Sequence, residues 1–184
     1  MPSQAVVSSV SPEDFPRVVD VWEASVRATH NFVSEADIQF FKPLVREGLP
    51  HVAELACVRD GEDEVIGFVG VTGEKVEMLF VHPAWFSQGI GRRLLTHAVT
   101  ALGATKVDVN EQNPQAIGFY RRMGFEVIGR SPHDGTGKPY PLLHMQIQGP
   151  AAPHSAIMQL EEERRYFAFC FACEAGPGFH RILS

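Results

Sequence analysis

The segment Gly89-Ile90-Gly91 places two glycines at the start of an amphipathic helical pattern, and this combination could bind a phosphate group. A helix N-terminus offers N–H groups that no carbonyl of the helix accepts, together with a partial positive charge. Glycines at that point let the backbone approach an anion closely. An ordinary glycine-containing turn explains the same residues equally well, because short glycine patterns are weak signals.

Two common phosphate motifs are excluded by the residues around this loop. A P-loop requires Gly-Lys followed by Ser or Thr, whereas Gly91 is followed by Arg92. A dinucleotide fingerprint requires a third glycine where Leu94 stands, and its strand runs almost directly into the first glycine. Here residues 83–88 separate the preceding apolar strand from Gly89. The loop therefore does not indicate a nicotinamide-dependent enzyme.

Hydrophobic spacing and turn residues predict the elements that position this loop. Helices are predicted after Ser11, Ser34, Gly89 and Asn113. Strands are predicted over residues 4–10, 52–58, 64–72, 75–82, 105–110, 125–129 and 142–147. The second, third and fourth strands are joined by tight turns, so they should be antiparallel neighbours. The order β-α-α-β-β-β-α-β-α-β-β indicates an α/β fold with a mixed, mostly antiparallel central sheet flanked by helices.

Two segments, in this order, resemble the GCN5-related N-acetyltransferase (GNAT) family. The stretch from Leu79-Phe80-Val81-His82-Pro83 through the glycine loop to Arg92-Arg93-Leu94-Leu95 is similar to the acetyl-CoA signature of that family. Residues 113–125 are similar to its Asn-x-x-Ala-x-x-Phe-Tyr-x-x-x-Gly-Phe segment. Residues 28–32, 109–113 and 137–143 extend the likeness to small bacterial members, and the resemblance covers roughly residues 4–147.

The resemblance implies a GNAT fold and an N-acetyltransferase that moves the acetyl group of acetyl-CoA to a primary amine by direct attack. The expected acceptor is a small-molecule or peptide amine, in a pocket formed by the first two helices and residues 130–141. Backbone N–H groups near residues 79–81 would polarise the thioester carbonyl. The residues expected to bind acetyl-CoA are Leu79, Phe80, Val81, Gln88, Gly89, Ile90, Gly91, Arg92, Asn110, Asn113 and Tyr120.

Tyr120 matches the tyrosine that protonates the leaving thiolate in this family. A phenol has an ordinary pKa of about 10 and a thiol one of about 8.5, so proton transfer depends on positioning. The competing interpretation is that Tyr120 only packs in the core beside Phe119. Asn113 has two compatible roles, as a helix N-cap and as a contact for the cosubstrate.

Two residues are candidates for the base that takes a proton from the amine. Glu77 alternates with Leu79 and Val81, which places all three on one strand face, although a plain exposed carboxylate is an equally good interpretation. His30 follows the first helix on the side where the resemblance places the acceptor, although a lone loop histidine is more often merely exposed. The alternation does not decide whether His144 faces the acceptor or solvent.

The glycine loop departs from the family pattern at its entry, where Phe86 replaces the usual Gln or Arg. Backbone N–H groups can still bind a pyrophosphate, with Gln88 and Arg92 as helpers, but we expect weaker binding of acetyl-CoA. The departure also supports a second hypothesis, a non-catalytic acyl-CoA-binding sensor or partner subunit. The retained segment around Tyr120 favours the enzyme.

Composition constrains the remaining possibilities. The net charge of −6 argues weakly against a nucleic-acid partner, and three cysteines do not form a disulfide framework. No signal peptide and no apolar run of about 20 residues is present, so we expect a cytoplasmic protein without a membrane partner. Homodimers are common in the family, and one is allowed here.

The predicted fold is complete by Ile147, so residues 1–148 are interpreted as the acetyltransferase domain. Residues 149–184 form an appendage, interpreted as partly disordered or as one short helix around 155–170. Cys170 and Cys173 have the spacing of a zinc or redox pair. One pair supplies only half of a tetrahedral site, so no metal is expected.

Overall fold

The computed structural model describes residues 6–147 of the 184-residue chain. The chain divides into two compact units, of which the first ends at Ala104 and the second begins at Thr105. The predicted appendage, with its cysteine pair, lies outside the described residues.

The first unit contains three helices and four strands within its described part. They are β1 (Val7–Ser9), α1 (Phe15–Thr29), α2 (Glu35–Gly48), β2 (Glu54–Arg59), β3 (Val65–Thr72), β4 (Lys75–Val81) and α3 (Ile90–Thr100). The described part of the second unit contains β5 (Lys106–Asn110), α4 (Pro114–Arg122), β6 (Phe125–Ser131) and β7 (Leu142–Ile147).

The four strands of the first unit are antiparallel neighbours in the order β1-β2-β3-β4. The turn between β2 and β3 is closed by the Asp60 carboxylate, which accepts the N–H groups of Glu62 and Glu64 at 2.9 and 3.0 Å. The antiparallel arrangement predicted from the tight turns is therefore confirmed.

β3 is the centre of the first unit because helices α1 and α3 both pack against it. Every residue of β3 except Thr72 is buried, so both of its faces are covered and the two helices lie on opposite sides. The closest approach is at Gly67, where an added Cβ would lie 3.0 Å from Ile90 Cγ2 and 3.2 Å from the Phe80 carbonyl oxygen. Glycine at this position therefore fixes how near α3 lies to the sheet.

In the second unit, β7 lies between β5 and β6, and both pairings are antiparallel. Helix α4 packs on β5 and β6. The Tyr120 ring contacts the Phe125 ring edge-on at 5.6 Å, which places α4 on the sheet face that carries Phe125. Residues directly opposite each other in these ladders point to the same face, so Met145 and Val107 belong to that face as well.

The predicted helix starts are confirmed by their hydrogen bonds. Ser34 caps α2 by accepting the Asp37 N–H at 3.1 Å, and Asn113 caps α4 by accepting the Ala116 N–H at 3.1 Å. At the third start, the Asp14 carboxylate accepts the Ser11 N–H at 2.8 Å, but a short 3₁₀ turn comes before α1 begins. Capping residues thus located these starts to within a turn.

Several predicted element bounds were wrong, among them the start of β2, which is Glu54 and not residue 52. β1 spans only Val7–Ser9 of the described residues, and the segment between β4 and the glycine loop contains a 3₁₀ turn, Pro83–Trp85. β6 does not end at residue 129 but continues to Ser131, because its pairing with β7 resumes after a register shift between Val127 and Gly129. The last correction places Ser131 in the sheet.

Replacing Gly67 with alanine should destabilise the protein by about 1–3 kcal/mol, because the added methyl group meets a backbone carbonyl that cannot move alone. Chemical denaturation of the variant and the wild type measures this difference. Gly61→Ala is the matched control, since a Cβ there meets nothing within 4 Å and should change the free energy of unfolding by less than about 0.5 kcal/mol. Equal effects of the two substitutions would contradict the close approach of α3.

Candidate active site

The end of β4 directs two of the predicted acetyl-CoA residues toward α3. Leu79 and Val81 pair with Val69 and Gly67 of β3, so their side chains share the face on which Gly67 meets α3. Both are partly exposed. Phe80 points the other way, and its buried ring lies 5.7 Å from that of Phe68. Of the three residues, Phe80 therefore contributes its backbone and not its side chain to the α3 face.

The glycine loop has the backbone of an anion-binding helix start. Gly89 is the N-cap of α3 with φ +79°, a conformation that a side chain disfavours, and a Cβ there would meet nothing within 4 Å. Ser87 also has a positive φ of 62°, which is uncommon outside glycine and marks local strain. The open space over Gly89 and the N–H groups of the first helical turn leave room for a ligand.

Two cations in the first turn of α3 reinforce this interpretation. Arg92 and Arg93 lie next to the positive end of the helix dipole, and that turn carries no acidic residue. A cation at this end is unfavourable by a few tenths of a kcal/mol to about 1 kcal/mol, and an anion bound beside Arg92 would offset that cost. The first turn therefore fits the phosphates of acetyl-CoA.

The two side chains that flank the loop entry differ in their roles. Phe86 is 37% exposed, so no hydrophobic packing in the core explains its presence at this position. The Gln88 amide donates to the Ala84 carbonyl at 3.3 Å and so closes the loop on itself. Because of this bond, Gln88 supports the loop conformation, and the backbone N–H groups and Arg92 are the candidates for binding the cosubstrate.

Glu77 is buried, with only 3% of its surface exposed, so the interpretation as a plain exposed carboxylate is wrong. It lies at an irregularity of the sheet: Met78 pairs with Gly70 and Val76 pairs with Val71, which leaves Glu77 as the extra residue of a β-bulge. Bulges re-aim side chains and occur often near active sites. Burying a carboxylate costs free energy unless hydrogen bonds or ion pairs compensate it.

His30 ends α1 and is held in place by its neighbours. Its Nδ1 is 2.8 Å from the Thr29 hydroxyl, and its ring lies 5.3 Å from that of Phe32. Burial lowers the pKa of His30 to about 4, so the ring is neutral at pH 7. The interpretation as a merely exposed loop histidine is therefore wrong, since the residue is partly buried.

The other predicted site residues lie in the second unit, at the end of β5 and on α4 with its N-cap. The Asn113 N–H donates to the Asn110 carbonyl at 3.0 Å, and the Asn110 side-chain oxygen accepts the Gln112 N–H at 2.8 Å. Both asparagines are buried, and Tyr120 on α4 is 4% exposed beside Phe119. The Asn110 Nδ2 has no hydrogen-bond partner among the described residues. A buried amide donor in this state is suited to a carbonyl group of a ligand.

One hydrogen-bonded group of side chains was missed by the sequence analysis. His144 Nδ1 lies 2.6 Å from Asp108 Oδ1, and its Nε2 lies 2.7 Å from Ser131 Oγ. Three residues from three strands form this array. The strand register that joins Asp108 to His144 is not visible in the sequence, so no local pattern could have revealed the array.

Comparisons with known proteins find similarity to acetyltransferases. Residues 51–127 match the family described as the acetyltransferase (GNAT) domain. The chain is 44% identical over 133 residues to the peptidyl-lysine N-acetyltransferase YjaB of Salmonella typhimurium, covering 72% of this chain and 91% of that protein. It matches the solution structure of apo-form YjaB from Escherichia coli with a TM-score of 0.71 and 39% identity, covering 79% and 99% of the two chains.

A more distant structure shows the same fold. The PaiA N-acetyltransferase from Thermoplasma acidophilum, in complex with coenzyme A, matches with a TM-score of 0.59 and 20% identity, covering 78% of this chain and 98% of that one.

The chain therefore belongs to the GNAT acetyltransferase family, and the α/β GNAT fold expected from the sequence is confirmed. It is an enzyme that moves the acetyl group of acetyl-CoA to an amine. The non-catalytic acyl-CoA sensor is thereby set aside. No helix in residues 6–147 is long and apolar enough to cross a membrane.

Proposed function

We propose that this acetyltransferase acts on the side-chain amine of lysine in proteins or peptides. The observation that carries the proposal is the 44% identity to a peptidyl-lysine N-acetyltransferase over 91% of that relative's length. The net charge of −6 supports it weakly, because a negative protein attracts a cationic acceptor.

For the cosubstrate, we propose that the start of α3 holds the phosphates of acetyl-CoA, which supplies an activated acetyl thioester when bound. The N–H groups of Ile90, Gly91 and Arg92 lie in the first turn, which has no carbonyl of its own to bind them. The Arg92 guanidinium adds a charge at the same point. Asn110 offers its buried Nδ2 to a carbonyl of the cosubstrate.

Tyr120 is proposed as the acid that protonates the leaving thiolate. Its ring makes edge-on contacts with Phe119 and Phe125 at centroid distances of 5.2 and 5.6 Å, and these contacts restrict its movement. Fixed geometry of this kind is what a weak acid requires for proton transfer. The packing that the sequence analysis treated as a competing interpretation therefore supports the catalytic role.

The low pKa of His30 argues against it as the base but does not by itself select Glu77, because a carboxylate is no stronger as a proton acceptor. A group with a pKa of about 4 takes a proton poorly from a lysine ammonium, whose ordinary pKa is about 10.4. His30 is therefore proposed as a neutral hydrogen-bonding group on the acceptor side. Glu77, buried at the bulge of β4, remains a candidate for the proton acceptor.

Thiol release from acetyl-CoA in the presence of short lysine peptides tests the acceptor directly. We expect turnover with an N-terminally blocked peptide that contains one lysine, and none with the same peptide carrying arginine, whose guanidinium stays protonated. Polyamines and aminoglycosides serve as competing acceptors. Turnover on those amines, without any on lysine peptides, would refute the proposed substrate class.

Tyr120→Phe should lower kcat on the order of 100-fold, since it removes the acid and keeps the ring. The melting temperature and the affinity for coenzyme A should stay close to those of the wild type, because the contacts with Phe119 and Phe125 remain. Steady-state kinetics with saturating acetyl-CoA provide the measurement. An unchanged kcat would show that Tyr120 only packs in the core.

A further inference from the structure

The array of Asp108, His144 and Ser131 links a buried carboxylate to the protein surface. The Asp108 side chain is 12% exposed and the His144 side chain is 35% exposed. His144 lies between the other two, with Nδ1 at 2.6 Å from Asp108 and Nε2 at 2.7 Å from Ser131. The hydrogen bonds therefore run continuously from the interior of the second unit to an accessible imidazole and hydroxyl.

The strand pairing of the second unit builds this array. Asp108 on β5 lies directly opposite His144 on β7, which in turn lies opposite Gly129 on β6. A Cβ at Gly129 would lie 3.3 Å from His144 Cδ2, so the glycine gives the imidazole room to lie across β6. The ring can then reach Ser131, two residues further along the same strand.

The polarity of the hydrogen bonds follows from the carboxylate. An ionised carboxylate only accepts hydrogen bonds, so Nδ1 of His144 carries the proton that is donated to Asp108. Nε2 is then left as an acceptor, and the Ser131 O–H donates to it. This is the arrangement in which an imidazole takes a proton and a carboxylate stabilises the resulting cation.

The sheet face that carries the array also carries a residue expected to contact the cosubstrate. Asp108 and Asn110 alternate on β5 and point to the same face, opposite to the face that α4 covers. The Asn110 Nδ2 is buried without a hydrogen-bond partner among the described residues. An unfilled donor two residues from Asp108 indicates that a ligand binds on this face.

We propose that Ser131 and His144, in place of Glu77, form a relay that takes the proton from the acceptor ammonium, with Asp108 positioning His144. This inference rests on the proposed amine acetylation. Ser131 is the catalytic residue that contacts the ammonium, and Asp108 is a positioning residue.

The relay neither gains nor loses protons. One N–H bond of the ammonium breaks as its proton passes to Ser131 Oγ, and the original Ser131 proton passes to His144 Nε2. The positive charge moves from the amine to the imidazolium, where Asp108 balances it. The neutral amine is then free to attack, and the imidazolium later returns its proton to solvent at its exposed edge.

Few other charged groups share this sheet face with His144. Gln146 lies two residues after His144 on β7, and the strand register pairs it with Lys106 of β5 and with Glu126 of β6. Both charged residues therefore lie on the same sheet face as His144. Asp108 is the only carboxylate among the described residues for which a contact with His144 is found. Glu126 is exposed and supplies a matched control, because it changes the charge of the same face without entering the array.

The test compares His144→Gln, Asp108→Asn and the control Glu126→Gln over a range of pH. At pH 7 we expect kcat/KM for the amine to fall on the order of 100-fold in the first two variants and to stay near wild type in the control. The loss should shrink as the pH rises toward about 10, where a lysine amine is already neutral. It should also shrink at pH 7 for a weakly basic acceptor amine, and the KM for acetyl-CoA should not change.

Two outcomes would overturn the proposal. A loss of equal size at every pH and for both kinds of amine would show that the array is only structural. Acetylation of Ser131 itself, detected by peptide mass spectrometry after incubation with acetyl-CoA, would show a nucleophile and not a proton carrier. Ser131→Ala, which removes a single oxygen, serves as the second variant if His144→Gln does not fold.

The test of the proton relay does not depend on lysine being the acceptor. Any primary amine that the wild-type enzyme acetylates can serve as the acceptor in these measurements. If lysine peptides are not acetylated and another amine is, the proposed substrate class is refuted. The pH dependence of the variants, measured with that other amine, still tests the proton relay.

Discussion

The close approach of helix α3 to strand β3 determines where the loop proposed to bind acetyl-CoA lies. At Gly67 the gap leaves no room for a methyl group, since a Cβ would lie within 3.0–3.3 Å of Ile90, Phe80 and Leu94. Ile90 is the first residue of α3, so the contact fixes the helix start against the sheet. A rigidly placed helix N-terminus presents its N–H groups in a constant direction, which is the condition for binding an anion without reorganisation.

The fold also buries several polar side chains near the candidate site. Glu77 and Asp108 are 3% and 9% exposed, and Asn110 is 4% exposed with an amide donor that no described residue accepts. Burying such groups costs free energy unless a partner compensates. Glu77 lies at a β-bulge, and Asp108 and Asn110 lie on β5, and all three are residues for which a function is proposed here. We interpret the free-energy cost of burying these side chains as what the protein expends to hold them in fixed positions before the substrates bind.

The sequence predicted those parts of the structure that depend on neighbouring residues. Ser34 and Asn113 mark helix starts because their side chains accept N–H groups three residues ahead. Features that depend on strand register could not be predicted. The bulge that buries Glu77 and the contact between Asp108 and His144, 36 residues apart, arise only when strands pair. The same limit explains why the sequence left the orientation of His144 open.

The central claim is that the start of α3 holds the phosphates of acetyl-CoA through its backbone, and amide NMR spectra during titration test it most directly. Coenzyme A should cause its largest shifts at the N–H groups of Ile90, Gly91 and Arg92, which have no acceptor within the helix. Pantetheine, which lacks the phosphates, should leave those three amides unchanged. Equal shifts with both ligands, or none at α3 when coenzyme A is bound, would contradict the account.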